Sequence, residues 1–321
     1  MPAEVPQPGE QQPDELAGLL TEAVDGRGLM LDELSVAELV TLMNDRDAAI
    51  APAVRHELPA ITRAIEAAAE RMQRGGRLIY VGAGTSGRLG ILDASEIPST
   101  FGTPGDVVIG LIAGGPDAIV ASVESAEDSE EAGAADLARV NAGPLDTVVG
   151  IASSGRTPYV LGAVRSAAQR GALTVGLSCN LATPLSAAAQ HPIEITVGPE
   201  FVTGSTRLGA GTATKMVLNM FSTISMIRLG KTYQTLMVDA RPTNTKLVRR
   251  AVRIVTLATG ASEDTARAAL NAAGWHAKVA IAMITTGMNA SDARAALDEV
   301  DGVLSKVVAG SAAAAAKRGC G

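Results

Sequence analysis

Two short stretches of this chain combine glycine with small hydroxyl side chains in a way suited to gripping an anion. The first, Gly82-Ala83-Gly84-Thr85-Ser86-Gly87-Arg88, ends the apolar run Leu78-Ile79-Tyr80-Val81. The second, Ser153-Ser154-Gly155-Arg156-Thr157, ends Val148-Val149-Gly150-Ile151-Ala152. A helical pattern follows each. Glycine lets the backbone come close to a ligand. The first N–H groups of a helix have no partner within it, and the helix dipole favours negative charge there. Ser and Thr add donors with little bulk. The pattern predicts two clamps on one anionic ligand: Gly84, Thr85, Ser86, Gly87 and Arg88 in one, Ser153, Ser154, Gly155, Arg156 and Thr157 in the other. Each arginine could hold a phosphate or carboxylate bidentately, or stand exposed in the first helical turn.

Acid–base chemistry needs carboxyl groups beside such clamps. Asp93 and Glu96 follow the first loop, and Glu124, Glu127 and Asp128 lie between the two. A carboxyl group in a suitable pocket serves as general acid or base; each of these could equally be a cap or a solvated helix face. His56, His191 and His276 are scattered, and none pairs with cysteine or acid at metal-ligand spacing, so no metal is expected. The first loop also fits a Gly-x-Gly-x-x-Gly pattern. The next apolar run, 107–112, ends in Ala113-Gly114-Gly115, where a dinucleotide fingerprint calls for an acid. Neither loop ends in Gly-Lys-Ser/Thr, and no Gly-x-Ser-x-Gly elbow is present. No cofactor is expected.

These groups must be held by a framework. Five short apolar runs, 77–82, 107–112, 146–152, 172–178 and 193–198, alternate with helical patterns such as 129–142 and 157–170. That alternation predicts an α/β fold: a five-stranded parallel sheet, flavodoxin-like, flanked by helices. Ligands of such sheets bind beyond the carboxyl ends of the strands, where both loops fall. Residues 35–74 read as helical, with Pro52 and Pro59 as breaks. Residues 205–229 read as one long helix with Ser205-Thr206 in its cap region. Lys215, near its start, could reach an anion or simply be solvated. A helix over 244–259 precedes three short helical segments near 263–272, 275–286 and 291–299, separated by Gly274 and Gly287, which predict a small C-terminal three-helix module. The expected organisation is a disordered tail over 1–15, the catalytic domain with N-terminal helices over 16–240, a helical domain over 241–308, and an Ala-rich low-complexity tail over 309–321.

Of 321 residues 47% are hydrophobic but only 2% aromatic, so the core must be aliphatic and a sugar would be held by polar contacts more than by ring stacking. The formal net charge of −7 argues against a nucleic-acid partner, while local dipoles still permit a small anionic ligand. No run approaches the roughly 18 apolar residues of a membrane span. Two isolated cysteines, Cys179 and Cys320, suggest a reducing compartment. The acidic, Pro- and Gln-rich start is unlike a signal peptide. A cytoplasmic location is expected.

Longer motifs surround these loops. Gly82 to Gly90 followed by Leu92-Asp93-Ala94-Ser95-Glu96 is similar to the signature of the N-acetylmuramic acid 6-phosphate etherases. So are Ala126-Glu127-Asp128-Ser129, Ser153 to Val160, Gly204-Ser205-Thr206-Arg207, Ala210-Gly211-Thr212-Ala213, Lys215 to Met220, and Leu236-Met237-Val238-Asp239 with Thr243-Asn244 and Lys246-Leu247. The resemblance runs from about Asp32 to about Leu297. It implies a sugar-isomerase (SIS) type fold, a homodimer, and cleavage of the D-lactyl ether of N-acetylmuramic acid 6-phosphate in cell-wall sugar recycling. It matches Glu96 to the acid that protonates the lactate oxygen and Glu127 to a second catalytic carboxylate, taken here as the base at C2. It adds Ser205 and Thr206 to the expected substrate-binding set. The chain departs from the family at Leu208-Gly209 (usually Met-Lys), at Ser125 (usually Gly) and after Thr21-Glu22. A phosphosugar isomerase and a non-catalytic phosphosugar sensor are the alternatives on the same fold; retention of both glutamates favours the etherase.

The resemblance carries one spatial problem. A straight helix would set Glu96 roughly 14 Å beyond Gly87 at 1.5 Å per residue, too far for one sugar. Pro98 suggests that the helix stops there. Either the chain turns back, or Glu96 serves the neighbouring subunit's site; the shared site is the expectation.

Overall fold

The computed structural model describes residues 18–318 apart from 29, 122 and 124. The expected N-terminal tail, Cys320 and Glu124 lie outside the described residues.

After two single 3-10 turns, Leu20–Glu22 and Leu31–Glu33, come three α-helices: α1 (Val36–Ala48), α2 (Ile50–His56) and α3 (Leu58–Gln73). A capping box starts α1, in which Ser35 and Glu38 each accept from the other's backbone N–H. The breaks fall at Ala49 and Glu57. Pro52 and Pro59 each sit in the first turn of the helix that follows a break, α2 and α3, as expected. Near the start of a helix the missing proline N–H has no intrahelical partner to lose.

The sheet follows as β1 (Leu78–Gly82), α4 (Gly84–Phe101), β2 (Val108–Ile112), α5 (Asp117–Val120), α6 (Glu130–Arg139), β3 (Thr147–Ile151), α7 (Pro158–Gln169), β4 (Leu173–Ser178), α8 (Pro184–Ala188) and β5 (His191–Glu194). All five strands are parallel, in the order β2-β1-β3-β4-β5. Strands β1, β3 and β4 are buried along their whole length, which is why they read as unbroken apolar runs. The fifth strand departs from expectation. It pairs over His191–Glu194 rather than 193–198, with Val175 to Ser178 of β4 as its partners. Its position at the sheet edge tolerates Pro192.

Side chains alternate between two cores. Leu78 and Tyr80 pack with α2, α3, α4 and α9 (Gly209–Arg228) on one face, and Ile79, Val81 and Val148 pack with α6, α7 and α8 on the other. Helix α4 corrects a second expectation: it continues through Pro98 to Phe101. Ser95 and Ser99 hydroxyls donate back to the carbonyls of Leu92 and Glu96. Gly102, in the left-handed region, ends the helix by donating to Pro98 O.

Helices α10 (Thr245–Thr259), α11 (Glu263–Ala272), α12 (Ala277–Thr286), α13 (Ala290–Asp298) and α14 (Leu304–Arg318) surround a third core of their own. The three expected segments are α11, α12 and α13, and the Ala-rich stretch continues α14. Trp275 packs against this core in a left-handed turn (φ 62°), its N–H donating to Leu270 O. The module is tied to the rest through Asp239, whose Oδ2 lies 2.7 Å from Lys278 Nζ and 3.3 Å from Lys231 Nζ. Lys278 is buried, and that burial holds its ammonium below the ordinary lysine range despite Asp239. The carbonyl of Asp239 meets Gly102 so closely that a Cβ there would lie 2.1 Å from it.

Candidate active site

Strand β1 pairs with β3 so that Gly82 stands opposite Ile151. The two glycine-hydroxyl loops therefore leave adjacent strands at the same level and face one crevice. Chain order reverses here, since β2 lies on one side of β1 and β3 on the other, and α/β sheets place ligands at such a point.

The first loop is short. Helix α4 begins at Gly84 with no side-chain cap, which leaves its first-turn N–H groups directed at the crevice. Its first turn lies on the end of β1: a Cβ on Gly87 would sit 2.7 Å from Gly82 O and 2.6 Å from Ile112 Cγ1, so only glycine permits this approach. Ser86 is buried, Thr85 half-buried and Gly84 exposed. The Arg88 guanidinium donates to the carbonyls of Ile119 (3.0 Å) and Ala121 (2.8 Å), bracing the segment that leads to Glu127.

The second loop is anchored from below. Ser153 O accepts from Cys179 N and from Asn180 Nδ2, both at 2.9 Å. Gly155 has φ 68°, and a Cβ there would lie 2.3 Å from Thr183 Cβ. Arg156 N donates to Ser154 Oγ, and α7 starts after Thr157 without a side-chain cap.

A third element adjoins the first loop. The turn 201–208 precedes α9, which begins at Gly209 rather than 205. The reason is Glu200: buried, it accepts from Gly209 N (2.8 Å) and Ala210 N (2.9 Å) and supplies the cap. This helix N-terminus is thus already filled by a carboxylate, while those of α4 and α7 carry no such cap. Ser205 and Thr206 are half-buried in the turn. Thr206 O accepts from Gly211 N, and Thr85 Cγ2 and Thr206 O both lie about 3.5 Å from where a Gly211 Cβ would stand, so the first loop and this turn meet.

Three positioning residues carried no sequence signal for this role. Thr21 is fully buried. Its hydroxyl accepts from Asn180 Nδ2 at 3.1 Å and its carbonyl from Gly204 N, so it joins the support of the second loop to the turn before α9. Asn180 and Glu200 complete that set. Their partners lie far off in the sequence or within a turn of no regular period.

The two glutamates differ in place. Glu127 is exposed beside the second loop, because its carbonyl accepts from Tyr159 N in the first turn of α7. Glu96 is exposed on α4, which is one continuous helix from Gly84 onward, so the chain does not turn back towards its own first loop. It lines a cleft of about 250 Å³ between α4 and α9 with Leu89, Leu92, Asp93, Lys215, Leu218 and Asn219. Asp93 accepts from Tyr80 Oη (2.9 Å) and Ser222 Oγ (3.1 Å). Burial pushes its carboxyl above the ordinary range, against the pull of those bonds and of the Lys215 charge. Among the described residues no cluster of His, Cys, Asp and Glu suits a metal ion.

Ser125, two residues before Glu127, has φ 66°, a conformation that costs a non-glycine residue about 1–2 kcal/mol. Ser125→Gly should stabilise the chain by about 0.5–1 kcal/mol in urea unfolding once the greater freedom of unfolded glycine is subtracted. A loss of stability would show that the Ser125 side chain is needed.

Family models match over residues 60–168, as the glucokinase regulatory protein N-terminal SIS domain, and over 124–225, as the SIS domain. The chain is 56% identical over 295 residues to an N-acetylmuramic acid 6-phosphate etherase of Streptomyces avermitilis, covering 92% of this chain and 95% of that one. It is 55% identical to the protein of that name from Rubrobacter xylanophilus over 88% of this chain and 93% of that one, and 51% identical to that from an Enterobacter species over 90% and 97%.

Proposed function

The chain belongs to the N-acetylmuramic acid 6-phosphate etherases, and from that membership we propose how its own residues divide the work. It is a carbon–oxygen lyase that converts N-acetylmuramic acid 6-phosphate to N-acetylglucosamine 6-phosphate and D-lactate, in amino-sugar recycling.

An alkoxide is a poor leaving group, so a simple ether resists cleavage. The open-chain sugar changes this, because its C1 aldehyde acidifies the C2 proton and the C3 ether lies beta to the carbonyl. A base removes the C2 proton, the C3–oxygen bond breaks as an acid protonates the departing oxygen, and lactate leaves. Water then adds at C3 of the unsaturated aldehyde, and no redox partner is consumed.

The phosphate sits on the uncapped start of α4, with Gly84, Thr85, Ser86 and Gly87, and the second loop (Ser153, Ser154, Gly155, Arg156 and Thr157) with Ser205 and Thr206 encloses the sugar. What supports this is the register of β1 against β3, which sets both loops on one crevice. Glu127, beside that crevice, takes the C2 proton. Glu96 protonates the lactyl oxygen in the site of a second subunit, since unbroken α4 carries it roughly 14 Å beyond Gly87. The chain works as a homodimer in the cytoplasm. Apolar surface at Leu92 (50% exposed), Ile224 (39%) and Ile227 (47%) on α4 and α9 is consistent with a covered face.

D-lactate release from the muramyl phosphate is the primary assay; a sensor or an isomerase releases none. Mixed dimers test the sharing. A Glu96→Gln subunit paired with a Glu127→Gln subunit should regain activity that neither homodimer has, because one of the two sites is then whole. Mixed dimers as inactive as their parents would place both acids in one subunit.

A further inference from the structure

The cleft that holds Glu96 contains one cation, and the scheme above gives it no task. We infer that Lys215 binds the carboxylate of the lactyl group, and so selects sugar phosphates that carry one. This rests on Glu96 being the acid that meets the lactyl oxygen.

The lysine is held by a neutral group rather than by a carboxylate. With the Asn219 amide turned so that its oxygen faces Lys215, Nζ donates to that oxygen at 2.8 Å and Asn219 Nδ2 donates to Asp93 Oδ1 at 3.3 Å. Asp93 is in turn fixed by Tyr80 and Ser222. Lys215 is thus aimed by a neutral amide backed by a half-buried carboxyl group. Among the described residues none forms an ion pair with it. Lys278, by contrast, is already matched to Asp239. An exposed ammonium, oriented and outside contact distance of any carboxylate among the described residues, is suited to an incoming anion.

The chemistry of the leaving group fits the cleft. In a lactyl ether the oxygen and the carboxylate are carried by the same carbon. An acid that reaches the oxygen therefore needs a cation for the carboxylate within the same small space. Glu96 and Lys215 share a cavity of about 250 Å³, and its apolar wall, Leu89 and Leu92, offers a surface for the lactyl methyl. Both side chains come from one subunit, so the pairing holds whichever subunit's loops grip the phosphate. The product lacks the carboxylate and loses this contact.

Two inert ligands test the idea: the C1-reduced alditols of N-acetylmuramic acid 6-phosphate and of N-acetylglucosamine 6-phosphate. Neither has the aldehyde needed for elimination, so both can be titrated calorimetrically into active enzyme. Lys215→Met should weaken the muramyl alditol by roughly 10- to 100-fold, the range of a charged hydrogen bond, and leave the glucosamine alditol unchanged. Lys215→Arg should regain part of the loss. Equal weakening of both ligands, or of neither, would overturn the assignment. A Glu96→Gln enzyme that still releases lactate would sink the role of Glu96 as acid and leave the alditol comparison standing as a separate result.

Discussion

Glu96→Gln enzyme is expected to release D-lactate at least about 10²–10⁴-fold more slowly than the unaltered protein, the usual worth of a positioned acid. Glutamine keeps the size and polarity of the side chain but has no proton to give. Glu96 is exposed on a continuous helix, so folding should be unaffected, and unfolding curves of the two proteins should coincide. The informative measurement is hydrogen exchange at C2 in deuterated water. A variant without the acid should still exchange, because proton removal precedes departure of the lactyl oxygen. Glu127→Gln should lose both exchange and release. Full lactate release by Glu96→Gln would end its assignment; normal exchange by Glu127→Gln would end that of the base.

Asp239→Asn should cost about 2–3 kcal/mol of stability at neutral pH, because removing the half-buried partner of a buried lysine leaves that charge uncompensated. The charge left behind is that of Lys278, which is 8% exposed and whose Nζ lies 2.7 Å from the carboxylate. Lys231, at 3.3 Å, is a weaker second partner. The pH dependence has a definite sign. Burial already lowers the Lys278 pKa below its ordinary value of 10.5, and loss of Asp239 lowers it further. A lysine whose folded pKa is depressed carries its full penalty while charged in both states. The penalty is relieved as pH rises through the folded value towards 10.5. The deficit of the variant in urea unfolding should therefore shrink between neutral and alkaline pH. A deficit that widens with pH, or that is absent at neutrality, would contradict this account.

What could be read from the sequence was whatever has a period or a tight local motif. Strands β1 to β4 fall within a residue of their apolar runs, and for β1, β3 and β4 the reason is that a strand covered on both faces cannot hide its composition. The two loops were recognisable because glycine, hydroxyl and helix start are neighbours in the chain. Errors arose where a distant group decides. Helix α9 starts four residues late because Glu200 folds back to cap Gly209 and Ala210. Pro98 does not end α4, which runs on to Phe101 and stops at the left-handed Gly102. The partnership of Asp93 with Tyr80 and Ser222 spans 13 and 129 residues, so no local pattern announces it. Lys215 reads more readily as solvated than as anion-seeking until Asn219 and Glu96 stand beside it.

Trp275 is the one tryptophan in the chain, and it packs on the C-terminal helices rather than on the sheet. Indole emission is consequently an optical label that evolution has placed on one module alone. Followed beside far-ultraviolet dichroism, which averages every helix and strand, it separates loosening of that module from loss of the whole. Two curves that coincide would mean that the Asp239 tie makes the chain melt as one unit; an earlier change in emission would mean that the module lets go first.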